Sequence, residues 1–276
     1  AAAAARRFMQ GANGHVYYGL QSASSGNPET AQAYTFEGLY VSTDSGRSFA
    51  LRSAMPPDTG ESDVLPLNDT TLIAATRLQD GHGAAPMTIP GPHYKQTALT
   101  VTTDSGLTWS EPAVVTGGLQ QTACLVLAGD ALLLVFGHKD SGQGQRFRVS
   151  YNLGATFSNT IFDLHHAGMY ASTVLLPSSD MLVTVMAGVA GSSGLTVLRW
   201  RLPPKVVVER GGFFRPPKRD ASKPTGAFVP WNQTGIGLNQ TCVPDVVPAA
   251  ACWSRYFPRV APWGAGETHR STVIKD

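Results

Sequence analysis

The sequence is short of charge, and only 14% of its residues are Asp, Glu, Lys or Arg. A formal net charge of +2 gives no general attraction toward nucleic acid or anionic lipid. The one basic cluster, Lys205, Arg210, Arg215, Lys218, Arg219 and Lys223, is interleaved with proline and reads as a solvated linker rather than a phosphate-binding groove. No window reaches the roughly 18 consecutive apolar residues that a membrane span needs. The longest apolar run, 123–137, is interrupted by Gly129 and Asp130. P-loop, HExxH, paired CxxC and GxSxG patterns are all missing, so nucleotide, zinc and serine-hydrolase chemistry have no motif to rest on, and no cofactor or metal is expected. His165-His166 is not a metal pair, because neighbours on a strand point to opposite faces; a loop position is expected for it.

Cysteine is scarce too, with three in 276 residues. Cys242 and Cys252 stand ten apart in a Pro-rich segment and read as a local disulfide, whereas Cys124 lies in an apolar strand and reads as a buried, unbridged thiol. Three N-x-[ST] sequons, at Asn68, Asn232 and Asn239, agree with glycosylation and an extracellular or secretory location. Residues 1–5 are all alanine and too short for a signal peptide, so they are left unassigned.

Glycine and proline are plentiful, at 29 and 19 residues, which suits many short strands joined by turns and disfavours a helical bundle. The turns repeat. Ser42-Thr43-Asp44-Ser45-Gly46-Arg47-Ser48-Phe49 returns as Thr102-Thr103-Asp104-Ser105-Gly106-Leu107-Thr108-Trp109, and in weaker form as Ser150-Tyr151-Asn152-Leu153-Gly154-Ala155-Thr156-Phe157. Each reads hydroxyl, any residue, Asp or Asn, any residue, Gly, two residues, aromatic, and each follows an apolar-polar alternation. Asp or Asn accepts hydrogen bonds from nearby backbone N–H groups, Gly supplies positive φ, the hydroxyl binds the remaining turn amides, and the aromatic folds onto the core. Asp44, Asp104 and Asn152 are therefore turn residues on an outer rim rather than catalytic carboxylates.

A second unit, two apolar strands around a short polar turn, recurs at 63–77, 123–139 and 170–188, with a fainter copy at 6–21. The two units together give four copies in register: 6–59, 60–118, 119–168 and 169–202. Each offers four strands, the blade of a β-propeller. In the last copy the turn motif has decayed to Leu202-Pro203-Pro204. Residues 6–204 thus form the blades, and 205–276 an irregular, aromatic-rich extension with one strand candidate, Val206-Val207-Val208, suited to docking on the propeller or on another chain.

The turn motif resembles the Asp box of sialidases and their BNR-repeat relatives, and the paired strands look like the other half of a sialidase blade. The resemblance covers about residues 6–202. It implies an all-β, sialidase-type propeller of four-stranded antiparallel blades, with the four recognisable blades part of, or degenerate from, a six-bladed ring. It implies an active site with three arginines on the substrate carboxylate, a Tyr nucleophile assisted by a Glu, and an Asp acid/base. The stretch Gly168-Met169-Tyr170-Ala171-Ser172-Thr173-Val174 is similar to the strand carrying that Tyr, which makes Tyr170 the candidate nucleophile. Arg146 is nearest to the third arginine. Arg77, followed by Asp80, could face the rim, and His138 or Lys139 stands where another arginine is expected. Arg148 belongs to a strand and is expected at a blade surface. No Glu stands near 121–125, and the first-blade Arg and Asp have no counterpart. A Tyr with an unperturbed pKa near ~10 depends on that missing base. The favoured expectation is a non-catalytic, secreted propeller that binds a glycan or protein surface or builds an extracellular assembly; the alternative is an exo-α-sialidase whose other residues lie outside 1–276.

Overall fold

A computed structural model describes residues 3–5, 7–22, 36–57, 59–78, 96–116, 123–138, 144–165, 170–177, 179–187, 195–216 and 218. Lys139, Asp80, His166, Asn232, Asn239, Cys242 and Cys252 lie outside the described residues, as does the side chain of His138. Four antiparallel sheets follow one another along the chain. The first holds β1 (Ala3–Ala5), β2 (Met9–Gln10), β3 (Val16–Ser22), β4 (Phe36–Ser42) and β5 (Ala50–Ala54). The second holds β6 (Thr59–Pro66), β7 (Leu72–Leu78), β8 (Gln96–Thr102) and β9 (Ala113–Thr116). In the third, β10 (Cys124–Ala128), β11 (Ala131–His138) and β12 (Gly144–Ser150) lead through a short β13 (Phe157–Ser158) to β14 (Phe162–His165). The fourth has β15 (Tyr170–Leu175), β16 (Met181–Ala187) and β17 (Leu195–Arg201).

The sheets stack as propeller blades, and the hydrophobic core is divided among the seams between them. Tyr17, Leu39, Val64 and Leu72 fill the first seam; Ile73, Leu99, Leu125, Leu134 and Phe136 the second; Val135, Phe147, Phe162, Met186 and Trp200 the third. Strands β7 and β8 are buried along nearly their whole length because both faces of the second blade are covered, and β8 carries Thr97, Thr100 and Thr102 into that interior. Trp200 is fully buried, packs at a tilt against Phe147 and donates its indole N–H to Thr184 Oγ1 at 2.9 Å.

The three box turns share one bonding scheme. Ser42 Oγ donates to Asp44 Oδ1 at 2.7 Å and accepts the Gly46 N–H at 2.8 Å, while Asp44 accepts from Ser48 N and Ser48 Oγ at 2.9 and 2.6 Å. Thr102, Asp104, Gly106 and Thr108 repeat the pattern, and so do Ser150, Asn152, Gly154 and Thr156. Hydrogen bonds from Ser48, and then from Ser42, hold the exposed Asp44 carboxyl down at about 2. The turn is left-handed over two residues, with φ of 62° and 85° at Ser45 and Gly46, and 60° and 84° at Ser105 and Gly106.

The glycines differ in surroundings. A Cβ on Gly46 would meet nothing within 4 Å, whereas one on Gly106 would stand 2.2 Å from Leu39 Cδ2 in the first seam. Gly46→Ala should therefore cost only the left-handed backbone penalty, roughly 1 kcal/mol. Gly106→Ala should cost about 1 kcal/mol more, because buried Leu39 must repack. Urea denaturation of the two variants checks the order; equal losses would contradict the seam contact.

Three expectations need correction. Val206–Val208 is not a strand: α1 (Lys205–Arg210) begins after Pro203-Pro204, whose fixed φ suits a helix start, and buries Val207 and Val208. His165 ends β14 rather than lying in a loop. Phe49, unlike Trp109 and Phe157, does not fold onto a core; it packs against Phe8 and Tyr18 on the outer face of the first blade.

Candidate functional site

The four innermost strand segments meet at one guanidinium. Arg7 sits between β1 and β2 and donates Nε and Nη2 to Asp63 Oδ1 and Oδ2, both at 2.6 Å. Its Nη1 donates to Thr173 O at 3.1 Å, and Nη2 also reaches the carbonyl of Leu125. Asp63, whose side chain is fully buried, in turn accepts the Leu125 N–H at 2.7 Å. A side chain of the first blade thus bonds to the inner strands of the second, third and fourth. Burial alone would lower the Arg7 pKa, but Asp63 overrides it and the net shift is upward. Sequence reading missed this residue, since its partners lie 56, 118 and 166 positions away and no local pattern marks it.

Arg77 and Arg146 face the second seam from opposite sides. Alternation on β7 puts Arg77 on the face of Ile73 and Ala75, and alternation on β12 puts Arg146 opposite Phe136. Each is held by a carboxylate of its own blade: Arg77 Nη1 to Glu61 Oε2 at 2.8 Å, and Arg146 Nε to Asp163 Oδ1 at 2.7 Å. Glu61 lies in a register shift of β6 with φ of 48°, a conformation uncommon for a non-glycine residue.

Tyr170 opens β15 and is 41% exposed. It shares a face with Ser172 and Val174, turned away from the third seam that receives Ala171 and Met186. The structure therefore brings Arg77 and Arg146 to one seam and leaves Tyr170 on another face.

Beside Glu61 stands a group that sequence reading did not single out. Glu37 of β4 is buried in the first seam, where its Oε1 accepts the Ser62 N–H at 2.7 Å and Oε2 has no partner among the described residues. Burial, reinforced by the nearby Glu61 and opposed by the Ser62 bond, raises its pKa to about 7. Gly19 makes room for this arrangement: a Cβ there would lie 3.0 Å from Ser62 O and 3.4 Å from Glu37 Oε1.

Arg148 corrects another expectation. Its side chain is fully buried rather than at a blade surface, with Nη1 donating to Ser158 O at 3.2 Å and the guanidinium 4.6 Å from the Phe214 ring. Burial lowers its pKa to about 9. Asn68 is exposed in the β6–β7 turn, where its Oδ1 accepts the Thr70 and Thr71 N–H groups. Cys124 is buried. Among the described residues no group of three or more His, Cys, Asp or Glu is placed to hold a metal ion, and no helix is long and apolar enough to cross a membrane.

The chain is an all-β propeller with sialidase-like structural neighbours. A Dyadobacter fermentans protein of unknown function aligns with 16% identity over 70% of this chain and 51% of that one, at a TM-score of 0.50. The Penicillium chrysogenum α-L-arabinanase, solved with arabinobiose, aligns with 13% identity over 76% and 66%, at 0.51. A Hadza microbial sialidase aligns with 15% identity over 77% and 45%, at 0.47. The chain spans about half to two thirds of the length of these structures. No family model and no curated protein matches the sequence.

Proposed function

We propose that this chain is a non-catalytic, sialidase-like propeller that binds glycans in the extracellular space. The observation that carries the proposal is that Arg7, Arg77 and Arg146 are each engaged by a carboxylate of the chain itself. A guanidinium already in a bidentate or seam-bound pair gains little by exchanging that partner for a substrate carboxylate, and in the case of Arg7 the exchange would strand a buried Asp63. The placement of Tyr170 away from the second seam supports the same reading. Glycans are the preferred ligand class because the Penicillium chrysogenum arabinanase, a propeller of similar fold, is solved with a bound arabino-oligosaccharide. Glycosylation at Asn68, Asn232 and Asn239 and a Cys242–Cys252 disulfide belong to this proposal, and Asn68 stands on an exposed turn as an acceptor should.

A fluorescently labelled chain on a glycan array, followed by calorimetric titration of the best ligand, tests it. Saturable binding that persists in Tyr170→Phe and Asp44→Ala is expected, since one residue is not required as a nucleophile and the other lies on the outer rim. Absence of binding to any glycan would contradict the ligand class.

A further inference from the structure

Every blade face that lies in one of the three seams is covered, but two outer faces are not: that of the fourth blade, where Val174, Val185 and Val197 are exposed, and that of the first. Phe8 is 60% and Leu51 51% exposed there, and Phe8 stacks on Tyr18 with centroids 4.7 Å apart. Phe49 adds a ring 5.4 Å from Phe8, and Tyr40 pairs across the sheet with both Tyr18 and Leu51. A contiguous aromatic surface of this kind on a sheet is a docking surface rather than an ordinary exterior. Among the described residues, no packing of the kind found in the three seams joins the fourth blade to the first.

The path of the chain after the fourth blade indicates what covers it. Helix α1 buries Val208 in the third seam, and Lys205 Nζ reaches Asp130 Oδ2 on the third blade at 2.9 Å. Then β18 (Phe213–Phe214) pairs antiparallel with Phe157 and Ser158 on the rim of the third blade, and Phe214 packs into the second seam. Next, Lys218 bridges to Ala113 in the outer strand of the second blade. The strap therefore runs backward around the rim, from the fourth blade to the third and then the second. One further step in that direction reaches β5 and the aromatic face of the first blade. Residues 219–276 carry Phe228, Trp231, Trp253, Tyr256, Phe257 and Trp263, side chains suited to an aromatic surface.

We infer that residues 219–276 continue the strap and dock on the Phe8, Tyr18, Tyr40, Phe49 and Leu51 face of the first blade, in the same chain. The inference is independent of the glycan reading. Photocrosslinking in the full chain tests it, with p-benzoylphenylalanine in place of Leu51, in a second variant in place of Tyr40, and in a control in place of Leu127 on the third blade. The expected result is a monomer-mass product whose crosslinked peptides come from 219–276, several-fold above the Leu127 control. Crosslinks between two chains would assign the face to a second copy. Crosslinks to 170–201 would show the ring closing on itself, and yields equal to the control would leave the face open to solvent or glycan. Each of these three results overturns the inference.

Discussion

Replacing Arg7 with Met should lower the stability of the propeller by about 3–5 kcal/mol, because it leaves the fully buried carboxylate of Asp63 without its cation. The loss reaches beyond one pair, since the same guanidinium caps backbone carbonyls at Leu125 and Thr173 and so joins the inner strands of three other blades. Arg7→Lys should recover only part of it: an ammonium keeps the charge but cannot present two parallel donors to Asp63 while also reaching a carbonyl. In the double variant Arg7→Met, Asp63→Leu, much of the penalty should vanish, as apolar pairs often replace buried ion pairs at little cost, although the Leu125 N–H then lacks its acceptor. Urea denaturation of the wild type, Arg7→Met, Asp63→Leu and the double variant gives the coupling. A loss below about 1 kcal/mol in Arg7→Met would mean the residue is not the hub that its bonds describe.

The second large effect is on the pH dependence of folding. The carboxyl of Glu37 titrates near 4.5 when exposed and at about 7 in the folded protein. The folded state therefore holds this proton more tightly than the unfolded state. The contribution is fully present below about 4.5 and declines as pH rises through about 7, where the charge must be carried in an apolar seam. The difference corresponds to roughly 3 kcal/mol between pH 4.5 and pH 8. Glu37→Gln keeps an acceptor for the Ser62 N–H and removes the titration. Its stability relative to the wild type should rise across that window, and a constant difference between the two proteins would refute the assignment.

The box turns were legible because their chemistry is local. Hydroxyl, carboxylate and glycine within five residues satisfy one another's hydrogen bonds, so the motif fixes the turn wherever it occurs, and its spacing then fixes the blades. Side-chain alternation on the strands was legible as well. What each face meets was not, and the misreadings share that cause. Arg148 reads as a surface residue until Phe214 arrives from beyond the fourth blade to cover it. Val206–Val208 has the β-branched composition of a strand, yet Pro203-Pro204 and the burial of Val207 and Val208 select a helical turn. Phe49 obeys the motif but belongs to the end blade, so the face it folds onto is an outer one. Arg7 and Glu37 are defined by partners in other blades, and no short window shows that Asp63 or Ser62 will be beside them.

Arg7, Arg77 and Arg146 are each held by a carboxylate of the chain itself, and on the proposed reading they do not serve a sialidase reaction. Release of 4-methylumbelliferone from its α-sialoside, followed with the purified chain at micromolar concentration, tests this most directly. The rate should equal that of the buffer blank and be unaffected by Tyr170→Phe, Arg77→Ala or Arg146→Ala. Turnover above the blank that disappears in Tyr170→Phe would contradict the account and identify the chain as a catalytic glycosidase.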